Sequence, residues 1–187
     1  MTLIIVGVIL WSVLHLFPAL AHAKRITVIE KIGIGKYKLL FTLLIFASIA
    51  CMVFGWRNTA PELLYVASWL PLHLAYVLIY SGVFLMVASG FNTRVKQLIR
   101  HPQLTGFAIW AAMHALLNGD TRALVLFGGL ALWAIIEIFA LNVRDGEWHK
   151  PQPPSRLREL KPLLTSVALF ALLFFIHPYL SGKALVF

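Results

Sequence analysis

Apolar residues run through this chain in six long blocks separated by short polar and basic segments, roughly residues 2–21, 39–56, 63–89, 102–117, 123–141 and 163–180. A helix needs about 20 mostly apolar residues to cross the hydrocarbon core of a bilayer. The pattern therefore predicts an all-α polytopic membrane protein, a six-helix transmembrane bundle formed by one domain over residues 1–187. The fourth block is short and the third is long, which points to unequal tilt or to a helix that projects from the bilayer.

Composition agrees with that reading. Of the 187 residues, 60% are hydrophobic and only 12% charged, too apolar for a soluble domain of this size. The basic excess, 16 Lys and Arg against 7 Asp and Glu, would suggest nucleic acid in a soluble protein. In a membrane protein it has another cause, the collection of positive charge in cytoplasmic loops, so no nucleic-acid partner is expected and membrane lipids are.

Charge also sets the expected orientation. Lys24, Arg25, Lys31, Lys36 and Lys38 fall between the first two blocks. Arg94, Lys96 and Arg100 fall between the third and fourth, and Arg144, Lys150, Arg156, Arg158 and Lys161 between the fifth and sixth. The opposite side receives only Arg57, Arg122 and Lys183. Both termini are therefore expected on the non-cytoplasmic side. The segment "AHA" at residues 21–23 has the form of a signal-peptidase site, but the first block has no positive charge before it and several basic residues after it, so it is kept as a span.

The single cysteine, Cys51, excludes an intramolecular disulfide, and no C-x-x-C-H is present for covalent haem attachment. Ionisable groups within the apolar blocks are then the informative residues, because they are expensive in lipid. They are His15, His73, His114, His177 and Glu137. At about 1.5 Å per residue, His15 lies ~13 Å from Lys24 and His114 ~18 Å from Pro102. His73 and His177 fall nearer the opposite face, ~27 Å from Phe91 and ~22 Å from Pro162. His15 and His114 thus match in depth to within about one turn, and His114 with His177 is the next-best match.

Two imidazoles facing each other at one depth, among apolar and aromatic side chains, form the arrangement that a haem b requires. Trp11 precedes His15 by one turn and Trp110 precedes His114 by one turn, so each imidazole has an indole on its own face. Gly106 continues the His114 face and would admit a flat ring. The plainer alternative is that these histidines only hydrogen-bond between helices. H-E-x-x-H and the multi-histidine clusters of non-haem metal enzymes are missing from the sequence. Glu137, in "LWAIIEIFALN", suits a hydrogen bond from the outer nitrogen of a ligating histidine; the alternative is a pairing with a loop arginine or contact with the interface. "RHPQLTG" opens the fourth block: Pro102 suits the first helical position, and Arg100 and His101 stand beside a helix N-terminus, which attracts an anionic group such as a haem propionate or a lipid phosphate. At its far end, "NGD" is a helix stop.

These motifs carry a resemblance. "LHLFPAL" followed by "RHPQLTGFAIWAAMHALLNGD" resembles the NnrU family of bacterial membrane proteins over nearly the whole chain. The resemblance implies a multi-pass protein of the bacterial inner (cytoplasmic) membrane, linked to nitric oxide and nitrite metabolism, with a small gas or an apolar molecule as ligand. The family is related to the haem b-containing zeta-carotene isomerase, whose proposed axial ligands correspond to His15 and His114. The isomerase has a cysteine directly after the motif tryptophan, where this chain has Ala111, and that departure counts against carotenoid isomerisation. A more distant likeness, through R-H-P-x-x-x-G, is to isoprenylcysteine methyltransferase, which would place Arg100, His101 and Pro102 near S-adenosylmethionine. The expectation is a haem b-binding membrane protein with His15 and His114 as metal ligands and Trp11, Arg100, His101, Gly106, Trp110 and Glu137 around the cofactor. A haem-dependent isomerase and a methyltransferase are the alternatives.

Overall fold

Inside lipid no water satisfies backbone N–H and C=O groups, so an apolar chain satisfies them within helices. The computed structural model describes residues 1–181, and those residues are almost all helical, with no strand beyond an isolated bridge between Leu63 and Asp120. In chain order the helices are α1 (Thr2–Leu20), α2 (His22–Ile32), α3 (Ile34–Arg57), α4 (Leu72–Ser89), α5 (Pro102–Asn118), α6 (Thr121–Ala123), α7 (Gly129–Asp145) and α8 (Leu160–Ser181). One π-helical turn, Leu124–Gly128, joins α6 to α7, and short 3-10 turns lie at Arg94–Gln97 and Arg156–Glu159. Lys183 lies outside the described residues.

Among the described residues, five segments are long and apolar enough to cross a membrane: Thr2–Leu20, Ile34–Arg57, Leu72–Ser89, Thr121–Asp145 and Arg156–Tyr179. The sixth expected crossing, α5, has 17 residues. At 1.5 Å per residue it is about 25 Å long, short of a hydrocarbon core of about 30 Å.

Two boundaries differ from the sequence pattern. The third apolar block becomes helical only at Leu72, after Pro71, whose backbone is extended at ψ 130°. Leu63, Leu64 and Val66, which lengthened that block, lie in a loop and are exposed. The other difference is α2, an 11-residue helix between the first two apolar blocks with no buried residue and a mixed sequence, "HAKRITVIEKI".

The chain packs as two compact units. The first comprises residues 1–66 and 114–147. In it α1 runs antiparallel to α3 and parallel to α7. Gly7 lies against Ser48 and Met52, Gly55 against Ile4, and Gly129 against Val8. Small residues at such crossings let helices approach closely where lipid supplies no hydrophobic drive for association. The second unit comprises, of the described residues, 67–113 and 148–181. There α4 packs along α8, with Tyr80 bonded to Ser166 at 3.2 Å and ring contacts from Tyr80 to Phe170 and from Tyr76 to Phe174. The loop before α8 is fastened to the Arg94–Gln97 turn: Arg94 donates to Glu159 and to the Pro154 carbonyl, and Gln97 to the Pro151 carbonyl.

Candidate functional site

His15 is set by its own helix before any partner acts on it. Residues 11 and 15 share one face of α1, and the indole of Trp11 lies against the imidazole with centroids 4.2 Å apart. From α7, Trp133 meets both, edge-on to Trp11 at 5.5 Å and steeply inclined to His15 at 5.0 Å. From α3, Phe41 stands edge-on to His15 at 5.8 Å and is stacked on Tyr37 at 6.3 Å. Rings from three helices of the first unit therefore contact the imidazole, which is half-buried.

The hydrogen bonding of that imidazole fixes its chemistry. Nδ1 lies 2.9 Å from the carbonyl oxygen of Trp11. A carbonyl only accepts, so Nδ1 carries the proton, and the neutral ring bears its lone pair on Nε2. Nε2 has no hydrogen-bond partner among the described residues. Histidines that bind metals characteristically donate their second nitrogen to a carbonyl or carboxylate in this way.

Other polar atoms of the first unit are also left over. The indole nitrogen of Trp11, the hydroxyl of Tyr37 and Oε2 of Glu137 are buried without a hydrogen-bond partner. Buried polar atoms are nearly always satisfied in native proteins, so these three are exceptions within the unit that holds His15. Glu137 is 7% exposed and stands one turn beyond Trp133 on α7. It does not receive the outer nitrogen of His15, because the Trp11 carbonyl takes that proton.

His114 belongs to the same unit and to a different aromatic row. Its ring tilts over Phe127 at 5.0 Å, within the π-helical turn, and Phe127 is edge-on to Trp56 at 5.7 Å. Counted along this helix, Phe127 precedes Trp133 by about 9 Å. π-helical turns recur at functional sites, and this one places Phe127 against His114.

Arg100, His101, Gly106 and Trp110 lie in the second unit. Pro102 is the buried first residue of α5, as its fixed φ favours, and Thr105 Oγ1 donates to the His101 carbonyl at 3.0 Å. Gly106 is used differently from the expectation. Its face is occupied by the backbone of Gly82 on α4, where any β-carbon would collide, so it serves a helix crossing and not an open surface for a flat ring. Trp110 packs on Phe107 at 5.4 Å, and its β-carbon borders the same crossing. Of the other histidines, His73 is exposed on the first turn of α4, and His177 is half-buried with Ser181 3.2 Å from its Nδ1.

One constellation was missed from sequence. "NGD" ends α5, as its residue types indicated, and it also builds a clamp on residues 56–65. Gly119 has φ +60°, and its carbonyl accepts from Leu64 and Tyr65 at 2.8 and 3.2 Å. Asp120 caps α6 through the Ala123 N–H at 2.8 Å. Arg122 lies 4.2 Å over the Trp56 ring and donates to the carbonyls of Trp56 and Thr59 at 3.2 and 3.1 Å. Tyr65 completes it by donating to the Ala115 carbonyl at 2.9 Å.

Among the described residues, no three of His, Cys, Asp and Glu come together as a metal-binding group. A haem needs only one or two protein ligands and an apolar, aromatic surround, and the His15 cage supplies donor and surround of that kind. Apolar helices able to cross a membrane several times define a multi-pass membrane protein, and one of them carries the half-buried imidazole of His15 among aromatic rings. The chain belongs to the NnrU protein family, whose model matches residues 3–184 and so extends over both units. No curated protein and no solved structure matches it.

Proposed function

We propose that this NnrU protein binds haem b within its first unit, where His15, through Nε2, and His114 would hold the iron. The observation that carries the reading is the His15 imidazole itself, with Nδ1–H held on the Trp11 carbonyl and Nε2 unpartnered inside a cage of Trp11, Trp133 and Phe41. When bound, haem would supply reversible one-electron chemistry, and a small gas such as nitric oxide would reach the iron only as one of the two histidines gives way. The chain's own contribution is to hold the tautomer and ring plane of His15, to exclude water with three aromatic rings, and to place the Glu137 carboxyl one turn from the cage. In this reading α5 is the sixth crossing, both termini are non-cytoplasmic, and the protein resides in the bacterial cytoplasmic membrane, consistent with the distribution of Lys and Arg.

The test is an absorption spectrum of detergent-purified protein, oxidised and reduced, for wild type, His15→Ala and His114→Ala. A Soret band with sharp reduced α and β bands, lost in His15→Ala and converted to a five-coordinate form in His114→Ala, is the expected result. Folded wild-type protein that takes up no haem would remove the iron from the account.

A further inference from the structure

The aromatic row that begins at His15 leads to a cation. Phe41 touches His15, Tyr37 is stacked on Phe41 one turn earlier on α3, and the guanidinium of Arg25, from α2, lies 5.5 Å over the Tyr37 ring. The Tyr37 hydroxyl is buried and has no hydrogen-bond partner, although a buried phenol normally finds one. No carboxylate among the described residues pairs with Arg25. A buried unsatisfied donor and an uncompensated, half-buried guanidinium thus stand together at the end of the row. The pair has the chemistry of a carboxylate receptor, since arginine binds carboxylates through two parallel N–H donors and a phenol adds a third.

We propose that Arg25 and Tyr37 receive the carboxylates of the cofactor whose iron His15 holds, and so fix which edge of the haem faces α2. The inference rests on the haem reading above and adds a direction to it. It also accounts for α2, which buries no residue of its own yet brings Arg25 over the first turn of α3. Packing against Tyr37 holds the guanidinium plane in place before the cofactor arrives, which lowers the ordering cost of binding it.

The experiment compares haem b with its dimethyl ester, which keeps the iron and removes both negative charges. Transfer of each to excess apomyoglobin is timed for wild type, Arg25→Gln and Tyr37→Phe, and the midpoint potential is recorded alongside. Wild type is expected to release the ester roughly ten- to a hundredfold faster than haem b, the range for losing one charge-assisted hydrogen-bonded contact. The two variants are expected to release haem b nearly as fast as the ester, with a lowered midpoint potential in Arg25→Gln because a nearby cation favours the reduced iron. Equal retention of haem b and its ester by wild type would overturn the inference, and that arm needs no variant to fold. Retention of haem b by both variants at the wild-type rate would overturn it too. Wild-type protein without a His15-dependent Soret band would instead overturn the haem reading on which the inference stands.

Discussion

His15 and Trp11 are joined twice, through rings tilted against each other with centroids 4.2 Å apart and through a 2.9 Å hydrogen bond from the imidazole Nδ1 to the Trp11 carbonyl. Because the acceptor is backbone, no side-chain substitution removes it, and the tautomer is a property of the α1 helix. In protein freed of haem and labelled with 15N at histidine, His15 is expected to show the Nδ1-protonated neutral form. A neutral His15 protonated at Nε2 would leave the ring without a lone pair facing the cage, and would defeat its assignment as an axial ligand.

The clamp at the end of α5 predicts an energetic hierarchy. Arg122 makes a stacking contact with Trp56 and two carbonyl hydrogen bonds, with the carboxylate of Asp120 at 3.9 Å. Hydrogen bonds to a charged group contribute about 1.5–3 kcal/mol and a cation–π contact about 0.5–2 kcal/mol. Arg122→Ala is therefore expected to lower the thermal midpoint by several degrees in detergent. Arg122→Lys should recover little of it, because an ammonium cannot stack flat and bond two carbonyls at once. Full rescue by lysine would show that charge alone matters at this position.

Gly119 provides a second handle on the same clamp. Its φ of +60° is adopted at little cost only by glycine, and a β-carbon there would meet the carbonyl of Tyr65. Gly119→Ala adds strain of about 1–3 kcal/mol to a direct clash. Circular dichroism melts should place it among the most destabilised single variants, whereas Gly35→Ala, with open space around its β-carbon, should be close to neutral. A neutral Gly119→Ala would mean that residues 58–66 do not dock on this turn.

What the sequence disclosed follows from which forces act locally. Apolar length announces a membrane helix, so α1, α3 and α8 lie close to where hydropathy put them. The same rule misled at residues 63–71: apolar side chains there lengthened a block whose backbone is held in a loop by Gly119 and Thr121, residues distant in sequence. It also overlooked α2, too short and too mixed to stand out. His15 and Trp11 were visible as a pair because one turn of helix brings i and i+4 together. Trp133, Phe41 and Tyr37 were not, because which rings from other helices reach His15 depends on close crossings such as those at Gly7 and Gly129. Gly106 illustrates the ambiguity of glycine: sequence marked a close approach, and only packing identified Gly82 as the neighbour.

The second unit offers a test of that crossing. Gly82 and Gly106 face each other backbone to backbone, with Trp110 and Leu85 closing the sides. Gly106→Val would force α4 and α5 apart, at a cost above the typical 1–3 kcal/mol of overpacking, because backbone atoms and not flexible side-chain ends are in the way. The expected outcome is a strong loss of folded protein, with Gly106→Ala intermediate. Variants that melt like wild type would show that the two helices do not meet at these residues.

Glu137 gives the last prediction, and its sign separates structure from function. The carboxyl is 7% exposed within a helix long and apolar enough to cross a membrane, and one of its oxygens lacks a partner. A buried, incompletely satisfied carboxyl is a poor source of stability, and replacing such a group by a neutral one of similar shape is often neutral or stabilising. An ionisable group placed inside a membrane helix at that cost points to a functional role. Glu137→Gln is thus expected to leave the thermal midpoint unchanged or raise it by an amount equivalent to about 1 kcal/mol, while shifting the midpoint potential of the bound haem. A clear fall in thermal midpoint with an unaltered potential would assign Glu137 to helix packing alone.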